Sequence, residues 1–474
     1  MANMKFEFIK EPRLQFSGGT HICPKKGISA YGVYDKDSLN RCTSIGVGAI
    51  GSNHCLETLD RWLKVCENYI DSPEATKQPN LFSSFCGFNS QTGFYSKFIY
   101  NDDLARSVRN ADIEDILLIK DKAERIEKAV KLYYEEAKFL AQNRRLDVIV
   151  CVLPKKIYDA VTSHSIDEDT LDASISVSIE LNFRRALKAK AMHLGKPLQL
   201  VRAESLELGV KGQQDTATKA WNFCTALYYK AGATNPWKLA TESTSSQSCA
   251  LGIAFYKSRD RQVLHTSLAQ IFDELGNGLI LRGTPVQVGK NDRIPRLTAN
   301  QAYELFTAAL EEYRIALRNY PARVVVHKSS NYTNEEMEGL RQAARDLRID
   351  TVDFVTVLDS KIRMFRDGNY PPFRGSMISL DNKKHLLYTR GSVWFYKTYP
   401  GMYIPNPLEL RIVHSEKSPL YLAKEILSLT KMNWNNTQLD GKYPVTLGCA
   451  RKVGEIMKYL DEGEKPQIRY GFYM

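Results

Sequence analysis

Apolar positions in the first half of the chain switch between strand-like runs and helical spacing. Strand-like runs occur at 43–50, 81–88 and 146–153, and helical spacing occurs at about 55–70, 123–142 and 216–230. The run at 146–153 is almost continuously apolar, as buried parallel strands are. Because strands alternate with helices, the pattern predicts a parallel α/β sheet.

A polar segment at 241–248 separates this half from a second one with a different order of elements. Strand-like runs come first, at 249–257, 262–269 and 278–289, followed by helices and strands in alternation at 300–318, 323–327, 334 onward and 352–358. Thr333 fits the N-cap of the helix that starts near residue 334. Hairpin strands followed by β–α alternation are the order of an RNase H-like domain. The sequence therefore predicts a β-rich segment at 1–40, a first domain at 41–240 and a second domain at 241–474.

The composition is that of a soluble globular protein with a basic surface. The chain has 474 residues, of which 43% are hydrophobic and 25% charged, and its formal net charge is +11. Excess positive charge favours nucleic acid as a partner. The nine cysteines include no C-x-x-C pair, so we expect reduced thiols in a cytoplasmic protein. The sequence shows no signal peptide and no apolar run near the roughly 18 residues that a membrane span needs.

Gly46, Gly48 and Gly51 form a G-x-G-x-x-G pattern between a predicted strand and a predicted helix. In this place the pattern is typical of a loop that binds a dinucleotide pyrophosphate. A dinucleotide site also needs an acidic residue at the end of the next strand, and that strand ends at Asn89 instead. An NAD-dependent enzyme built on these glycines is therefore an alternative, and a glycine-rich strand and turn is the interpretation that we favour.

A second candidate site is a group of cations on two predicted helices. Arg184 and Lys188 are four residues apart and share one face of the first helix. Gln199 lies on the strand that follows, and Lys230 ends the second helix, with Asn222 two turns before it. A solvated helix face would explain such charges. Donors on several rigid elements are also what a terminal phosphate with up to two charges needs, so convergence on one phosphate is the alternative interpretation.

Several short motifs, in order along the chain, resemble those of a short prokaryotic Argonaute. They are Glu11-Pro12-Arg13-Leu14, Tyr228-Tyr229-Lys230-Ala231-Gly232, Pro236-Trp237-Lys238-Leu239, Met432-Asn433-Trp434-Asn435, Pro444-Val445-Thr446, Val453-Gly454-Glu455-Ile456 and Phe472-Tyr473-Met474. Proteins of this family consist of MID and PIWI domains and lack the N-terminal and PAZ domains of longer relatives. The resemblance covers nearly the whole chain. It implies an α/β fold with a Rossmann-like MID domain followed by an RNase H-like PIWI domain.

The resemblance implies a pocket for the 5′-phosphate of a guide strand in the MID domain. By position in the motif, the pocket residues are Arg184, Lys188, Gln199 and Lys230, with Asn222 as a cap. Arg184 stands where relatives often have Tyr or His, so it keeps a donor and loses a ring that stacks on the first base. In relatives the C-terminal carboxylate helps to hold a divalent cation against the guide phosphates. The resemblance thus implies a structural Mg²⁺ held with Met474 and Gln199.

The same resemblance implies that the PIWI domain does not cleave its target. RNase H-type cleavage needs carboxylates that hold two Mg²⁺ ions about 3.5–4 Å apart. Ala254 stands where slicing Argonautes have their first aspartate, and Ser329 stands at the place of the third acid. We therefore expect no catalytic residues in this chain. An active RNase H-like nuclease that uses other acids, such as Asp353, Asp359 or Asp440, is a further alternative.

Contacts with a nucleic-acid backbone are predicted for residues of the PIWI half. The basic candidates are Lys328, Arg363, Arg366, Arg374, Arg390, Arg451 and Lys452, and the aromatic ones are Tyr370, Trp394 and Tyr396. The resemblance implies a guide RNA with a 5′-phosphate and a complementary single-stranded DNA target that is read by base pairing. It also implies a partner with an APAZ-type domain fused to an effector, commonly a Sir2 or TIR domain that degrades NAD, and a role in prokaryotic immunity against plasmids or phages.

Overall fold

The computed structural model shows three sheets flanked by helices. It describes residues 4–39, 41–162, 182–210, 212–232, 235–240, 248–259, 263–272, 278–286, 295–365, 367, 371–401, 403–460, 464 and 466–474. The first elements along the chain are strands β1 (Lys5–Phe8), β2 (Leu14–Gln15) and β3 (Thr20–His21) and helix α1 (Pro24–Tyr31).

A five-stranded parallel sheet forms the core of the first half. In chain order this half contains β4 (Ser44–Gly51), α2 (Asn53–Glu67), β5 (Lys97–Ile99), β6 (Ala105–Ser107), α3 (Asn110–Leu118), α4 (Lys122–Asn143), β7 (Val148–Leu153), α5 (Lys155–Val161), α6 (Phe183–Lys190), β8 (Leu198–Arg202), α7 (Ala203–Leu206) and α8 (Thr216–Lys230). The strands run in the order β5-β4-β7-β8, and β6 also pairs with β4. Every residue of β7 is buried, as its apolar run predicts. The predicted parallel α/β sheet is confirmed.

The segment at 81–88 does not form the strand that its pattern predicts. Isolated bridges, and no strand ladder, join it to other described residues. Its aromatic rings instead fill the core beside α8. The ring centroid of Phe85 lies 4.9 Å from that of Trp221, and Phe88 stacks on Phe98 at 4.1 Å. Burial of the rings, and not the strand propensity of the run, decides the local structure.

A nine-stranded sheet forms the core of the second half. After the short strand β9 (Lys238–Leu239), this half contains β10 (Ser248–Lys257), β11 (Leu264–Phe272), β12 (Gly278–Val286), α9 (Ala299–Leu317), β13 (Arg323–Lys328), α10 (Asn334–Asp346), β14 (Thr351–Asp359), β15 (Ser376–Ser379), β16 (Lys384–Leu387), β17 (Leu408–His414), α11 (Pro419–Leu429) and α12 (Val445–Met457). The strand order is β1-β15-β16-β17-β14-β13-β10-β11-β12. Strands β10, β13 and β14 are parallel, whereas β10, β11 and β12 form antiparallel hairpins. Hairpins followed by parallel crossovers agree with the predicted RNase H-like order.

The N-terminal strands are distributed between two sheets. Strand β1 pairs with β15 at the edge of the nine-stranded sheet. Strand β2 pairs with β3 and with β9 in a three-stranded sheet. Of the polar segment at 241–248, residues 241–247 lie outside the described residues, and Ser248 begins β10. The division into 1–40, 41–240 and 241–474 therefore stays a prediction.

Several helices, among them α8 and α10, begin at residues whose side chains cap them. Thr333 Oγ1 accepts a hydrogen bond from Glu336 N at 3.2 Å, and the Glu336 carboxylate accepts one from Thr333 N at 2.8 Å. This capping box confirms the predicted N-cap of α10. Helix α8 is capped by Asp215, which accepts from Thr218 N.

Within the described ranges, none of the helices is both long and apolar enough to cross a membrane.

Helix α12 lies on the nine-stranded sheet and also reaches the first half. Its close approach to β10 requires glycine, since a Cβ on Gly252 would lie 2.4 Å from the Thr446 carbonyl oxygen. Beneath the helix, His327 Nδ1 lies 2.9 Å from Thr446 Oγ1. Further along, Glu455 forms a salt bridge of 2.8 Å with Arg185 of α6. Side chains of the second half are thereby placed beside α6.

Candidate nucleic-acid interface

Helix α6 carries two of the predicted phosphate ligands on a short, capped segment. Asn182 Oδ1 accepts a hydrogen bond from Arg185 N at 3.2 Å and caps the N-terminus of the helix. The buried ring of Phe183 packs edge-on to Tyr133 of α4, with 5.8 Å between ring centroids. Gly195 has a φ of 68°, which lets the chain turn toward β8 without strain. Packing and caps therefore fix the direction of α6.

Lys188, Lys230 and Gln199 meet at the end of α8. The side chain of Lys188 is 3% exposed and that of Lys230 is 1% exposed. Lys230 Nζ donates to the Leu198 carbonyl oxygen at 3.2 Å and to Gln199 Oε1. Lys188 Nζ is buried and has no hydrogen-bond partner among the described residues. Because a buried ammonium group without an acceptor is costly, this nitrogen marks a place where an anion would stabilise the fold.

The charges around these two lysines are positive. Burial lowers the pKa of Lys188 well below its ordinary value of 10.5, and the charges of Lys230, Arg184 and Lys452 lower it further. Burial and the charges of Arg184 and Lys452 also lower the pKa of Lys230. We call these four residues, Arg184, Lys188, Lys230 and Lys452, the cation cluster. A phosphate dianion would relieve their repulsion and restore the charged form of both buried lysines.

Two cations lie near this site although the sequence does not predict them there. Lys452 is predicted to contact a nucleic-acid backbone, whereas the structure places it close enough to Lys188 to lower the pKa of that lysine. A guanidinium nitrogen of Arg469 lies 3.2 Å from where a Cβ on Gly232 would stand, just beyond the end of α8. Neither residue has a sequence signal for this position, because each is far along the chain from α6 and α8.

The last residues of the chain pack against the same end of α8. A 3₁₀ turn at Tyr470–Phe472 places Gly471 so that a Cβ there would lie 3.7 Å from Lys230 Cα. Met474 is 1% exposed and belongs to the main hydrophobic core. The structure thus brings the C-terminal segment next to the cation cluster. The metal-binding role of Met474 stays a prediction.

Asn222 makes a different contact from the other predicted pocket residues. Its Oδ1 accepts a hydrogen bond from Thr437 N at 3.2 Å. Slightly more than two helical turns separate Asn222 from Lys230, about 12 Å along the helix axis. Asn222 therefore fastens α8 to the segment before α12, and its predicted role as a pocket cap stays a prediction.

The side chains of the cation cluster fit an anion and do not by themselves fit Mg²⁺. Magnesium prefers carboxylate and phosphate oxygens in octahedral geometry. Here Gln199 Oε1 accepts from Lys230, and the neighbouring charges are cationic. Over the part of the chain that the structure describes, no group of three or more His, Cys, Asp or Glu side chains is placed to hold a metal ion. A Mg²⁺ ion at this site would have to be coordinated mainly by the oxygens of bound phosphates.

Ala254 and Ser329 lie at the same end of two neighbouring parallel strands. In the pairing of β10 with β13, Ile253 is opposite Lys328, so that Ala254 and Ser329 follow side by side. Ser329 N donates to the Ile253 carbonyl oxygen at 3.4 Å. The two positions that the sequence assigns to missing carboxylates are therefore neighbours in space. A methyl group and a hydroxymethyl group cannot replace carboxylates as ligands of two metal ions.

Two of the three other acids considered for cleavage are engaged in contacts within the fold. Asp353 is buried and forms a salt bridge of 2.6 Å with Arg323. Asp359 accepts a hydrogen bond from the Tyr443 hydroxyl at 2.6 Å. Asp440 is half-buried in the segment before α12. Cleavage by other acids therefore stays a prediction that a cleavage assay can test.

The predicted backbone contacts divide into a buried group and an accessible group. Lys328, Arg374 and Tyr396 are buried. Lys328 Nζ lies 2.6 Å from Glu336, and Arg374 Nε lies 3.0 Å from Glu11. The accessible or half-buried group contains Arg363, Arg390, Trp394, Arg451 and Lys452; Arg366 and Tyr370 lie outside the described residues. We leave the buried residues out of the contact surface, because their polar groups are already paired within the fold.

The glycine pattern lies inside a strand and not in a loop. Gly46, Gly48 and Gly51 all belong to β4. A Cβ on Gly48 would lie 2.8 Å from a Leu146 methyl carbon, and one on Gly51 would lie 2.9 Å from the Val152 carbonyl oxygen. These glycines allow β4 to pack closely against its neighbours. The dinucleotide alternative requires them in a turn after the strand, and the structure does not place them there.

A scan against protein-family models finds no match, and a comparison with curated proteins finds none either. Solved structures do match. Argonaute of Clostridium butyricum, bound to a guide DNA and a 19-mer target DNA, has a TM-score of 0.69 and 16% identity over 97% of this chain and 54% of its own. Drosophila Piwi has a TM-score of 0.60 and 14% identity over 99% of this chain and 56% of its own.

Argonaute of Marinitoga piezophila, in complex with a 5′ OH guide RNA, has a TM-score of 0.56 and 14% identity over 96% of this chain and 59% of its own. The chain therefore spans somewhat more than half the length of each of these proteins. The α/β halves described above account for this likeness, since they supply a parallel sheet followed by a sheet with RNase H-like order. The chain has an Argonaute-like MID–PIWI fold.

Proposed function

We propose that the chain binds the 5′-phosphorylated end of a guide RNA at the cation cluster. The observation that carries the proposal is the buried Lys188 Nζ, which lacks a hydrogen-bond partner among the described residues. Lys230 stands beside it, and Arg184 and Lys452 add charges that a phosphate would neutralise. Gln199 positions Lys230 by accepting its hydrogen bond. Several charge-assisted donors on rigid elements are the chemistry that a terminal phosphate requires.

We propose further that the bound guide pairs with complementary single-stranded DNA. Solved structures with this fold contain a guide DNA with its target DNA in one case and a guide RNA in another. Base pairing would supply the sequence specificity, while the protein contacts the backbone. Lys452, which belongs to the cation cluster, and its neighbour Arg451 on α12 are the accessible cations that we expect to follow the first phosphates.

In this proposal the chain is not itself an enzyme. Ala254 and Ser329 stand side by side where a cleaving relative would need carboxylates. The recognition event would instead be reported by a partner protein in the cytoplasm, with an APAZ-type domain and a Sir2 or TIR domain that degrades NAD. The biological role would be prokaryotic defence against plasmids or phages.

Binding of RNAs that differ only at the 5′ end tests the pocket. We expect the purified chain to prefer a 5′-phosphorylated RNA over the same RNA with a 5′-hydroxyl. The double variant Lys188→Met, Lys230→Met should lose this preference by roughly a hundredfold or more, since each charge-assisted hydrogen bond contributes about 1.5–3 kcal/mol. Fluorescence anisotropy with labelled RNA measures both affinities.

Lys190→Met is the matched control. Lys190 lies on the same helix but is exposed, with its Nζ 5.0 Å from the Tyr134 ring centroid. This variant should keep the 5′-phosphate preference while losing one formal charge from the same helix. Equal losses in both variants would show that binding depends on general charge, and the pocket assignment would then be wrong.

Two further assays test the other parts of the proposal. Incubation of the guide-loaded chain with complementary DNA and Mg²⁺ or Mn²⁺ should leave the DNA intact, and metal-dependent cleavage would establish the nuclease alternative.

Adding guide and target to a complex of the chain with an APAZ-type partner should start NAD consumption. NAD consumption by the isolated chain would contradict the assignment of that activity to a partner.

A further inference from the structure

The edge strand β1 exposes an apolar face. It lies at the end of the nine-stranded sheet, with β15 on one side and no described strand on the other. Met4 is 64% exposed, Phe6 69% and Phe8 56%. These three residues alternate along the chain and so share one face of the strand. An exposed edge with a row of large apolar side chains is a template for strand pairing, which proteins usually protect.

This strand is held firmly in the sheet. Just beyond it, Ile9 N donates to the Gly375 carbonyl oxygen at 2.9 Å. Glu11 forms salt bridges of 3.0 Å with Arg374 and 3.1 Å with Lys431, both buried. The position of β1 is therefore set by its pairing with β15 and by the contacts of the residues that follow it. Because the strand is already ordered, pairing of its outer edge would cost little conformational entropy.

We propose that two copies of the chain associate through antiparallel pairing of their β1 strands around a twofold axis at Phe6. In this register Phe6 faces Phe6 of the second copy, Lys5 faces Glu7, and Met4 faces Phe8. The two nine-stranded sheets then become one continuous sheet. The inference does not depend on the proposed function.

Charge complementarity singles out this register and this occupant. The sequence Met4-Lys5-Phe6-Glu7-Phe8 reads apolar, positive, apolar, negative, apolar. Reversed on itself about the central residue, it places every charge opposite its counter-charge and every apolar side chain opposite an apolar one. Lys5 and Glu7 already form a salt bridge of 2.9 Å within one strand. Across the axis the four charges would alternate in sign, which is the favourable arrangement for cross-strand pairs.

A shift of the register by one residue removes this complementarity. Lys5 would then face Phe8, and Phe6 would face Glu7. Apolar groups would lie opposite charges, and the apolar faces of the two strands would point to opposite sides of the sheet. Antiparallel pairing of identical strands is also isologous, so that it closes into a dimer and does not propagate.

Cysteine cross-linking tests the register. We expect Phe6→Cys to form a disulfide-linked dimer under mild oxidation, because facing Cβ atoms in antiparallel strands lie about 4.5–5.5 Å apart. Phe8→Cys alone should not, since the two introduced thiols would be about 13 Å apart along the strands. A mixture of Met4→Cys and Phe8→Cys chains should cross-link. The wild-type chain, whose native cysteines are retained in all variants, is the background control.

A charge exchange tests complementarity without introducing thiols. Lys5→Glu and Glu7→Lys should each raise the dimer dissociation constant, measured by analytical ultracentrifugation, by about tenfold, since each places like charges opposite each other twice. An equimolar mixture of the two variants should recover dimerisation, because a strand with two acidic side chains then pairs with a strand that has two basic ones. The matched control is Lys10→Glu, which lies outside β1 and should leave dimerisation unchanged.

Three results would overturn the proposal. The first is a wild-type chain that stays monomeric while Phe6→Cys does not cross-link. The second is cross-linking that ignores position, which would indicate nonspecific association of apolar surfaces. The third is a different polypeptide that co-purifies with the chain and blocks labelling of Phe6→Cys, which would assign this edge to that partner and not to a second copy.

Discussion

Buried lysines have different surroundings in the two halves of the chain. In the second half, Lys328 Nζ lies 2.6 Å from Glu336, and Lys431 Nζ lies 3.1 Å from Glu11. In the first half and among the described residues, Lys230 donates to a carbonyl and an amide oxygen, and Lys188 has no acceptor. The four lysines are equally buried. Burial therefore does not separate them, and the presence of a carboxylate does.

This difference distinguishes a cation that is paired within the fold from a cation whose charge would be neutralised by a ligand. A buried ion pair satisfies its own charge, so that the fold holds without an additional group. A buried lysine beside other cations leaves its charge unsatisfied until an anion arrives. Lys328, which the sequence suggests as a nucleic-acid contact, belongs to the first kind. Lys188, whose helix could be an ordinary solvated face, belongs to the second.

Breaking the pair of Lys328 should have the largest effect. We expect Glu336→Gln to lower the free energy of unfolding by about 3 kcal/mol or more, because it leaves a buried ammonium group without its counter-charge. Urea denaturation followed by circular dichroism measures the change. Glu338→Gln on the same helix removes an exposed partner of Arg345 and should change stability by less than about 0.5 kcal/mol. Similar losses in both variants would remove the distinction drawn above.

Replacing Lys188 should have the opposite effect on stability and a marked effect on binding. Lys188→Met should raise the free energy of unfolding of the free chain, because it removes a buried amino group that has no hydrogen-bond partner among the described residues. The same variant should bind 5′-phosphorylated RNA more weakly by about 1.5–3 kcal/mol. Thermal unfolding and anisotropy titrations measure the two quantities. A variant that is destabilised and binds normally would show that Lys188 is structural.

Binding should depend on pH in a direction that the pKa of Lys188 determines. In the free chain burial and three neighbouring cations lower this pKa below 10.5, and a bound phosphate raises it again. Between these two values binding takes up a proton, so affinity falls as pH rises, by up to about tenfold for each unit of pH. Calorimetry in buffers of different ionisation enthalpy measures the proton uptake.

The stability of the free chain should also depend on pH through the lowered pKa of Lys188. Since the unfolded state binds the proton of Lys188 more tightly than the folded state, the contribution of this group to the stability of the wild type rises with pH between its lowered pKa and 10.5, the ordinary pKa of lysine. Lys188→Met lacks this part of the slope. Equal slopes in wild type and variant, together with binding that releases no proton and takes up none, would contradict a lowered pKa at Lys188.

Arg184 should have the smallest effect of the cation cluster. Its side chain is exposed, so Arg184→Gln should weaken 5′-phosphate binding by less than about 1 kcal/mol. Because its charge lowers the pKa of Lys188 and of Lys230, the variant should also move the pH window of proton uptake upward. Lys190→Gln, on the same helix, is the control for general charge. An effect of Arg184→Gln as large as that of Lys188→Met would make Arg184 a principal ligand.

The amino-acid sequence by itself determined the elements and the chemistry that they can carry. Local patterns predicted α4, α8 and β7 closely, because amphipathic helices impose a spacing that is visible over ten residues or more and a buried strand shows as a short continuous apolar run. Residue identity alone also determines that Ala254 and Ser329 carry no carboxylates. The order of Lys188, Gln199 and Lys230 along the chain, together with the resemblance to short Argonautes, was enough to propose that they meet.

Only the tertiary structure decided which charges are paired, which are exposed and which glycines lie in strands. Lys328 and Lys188 are both lysines within apolar surroundings, yet Glu336 reaches one and no described acceptor reaches the other. Lys452 joins the cation cluster from α12, and the rings at 81–88 fill a core instead of forming a strand. These outcomes depend on contacts between residues that are distant in sequence. Local patterns do not encode such contacts, because burial and pairing are properties of the assembled fold.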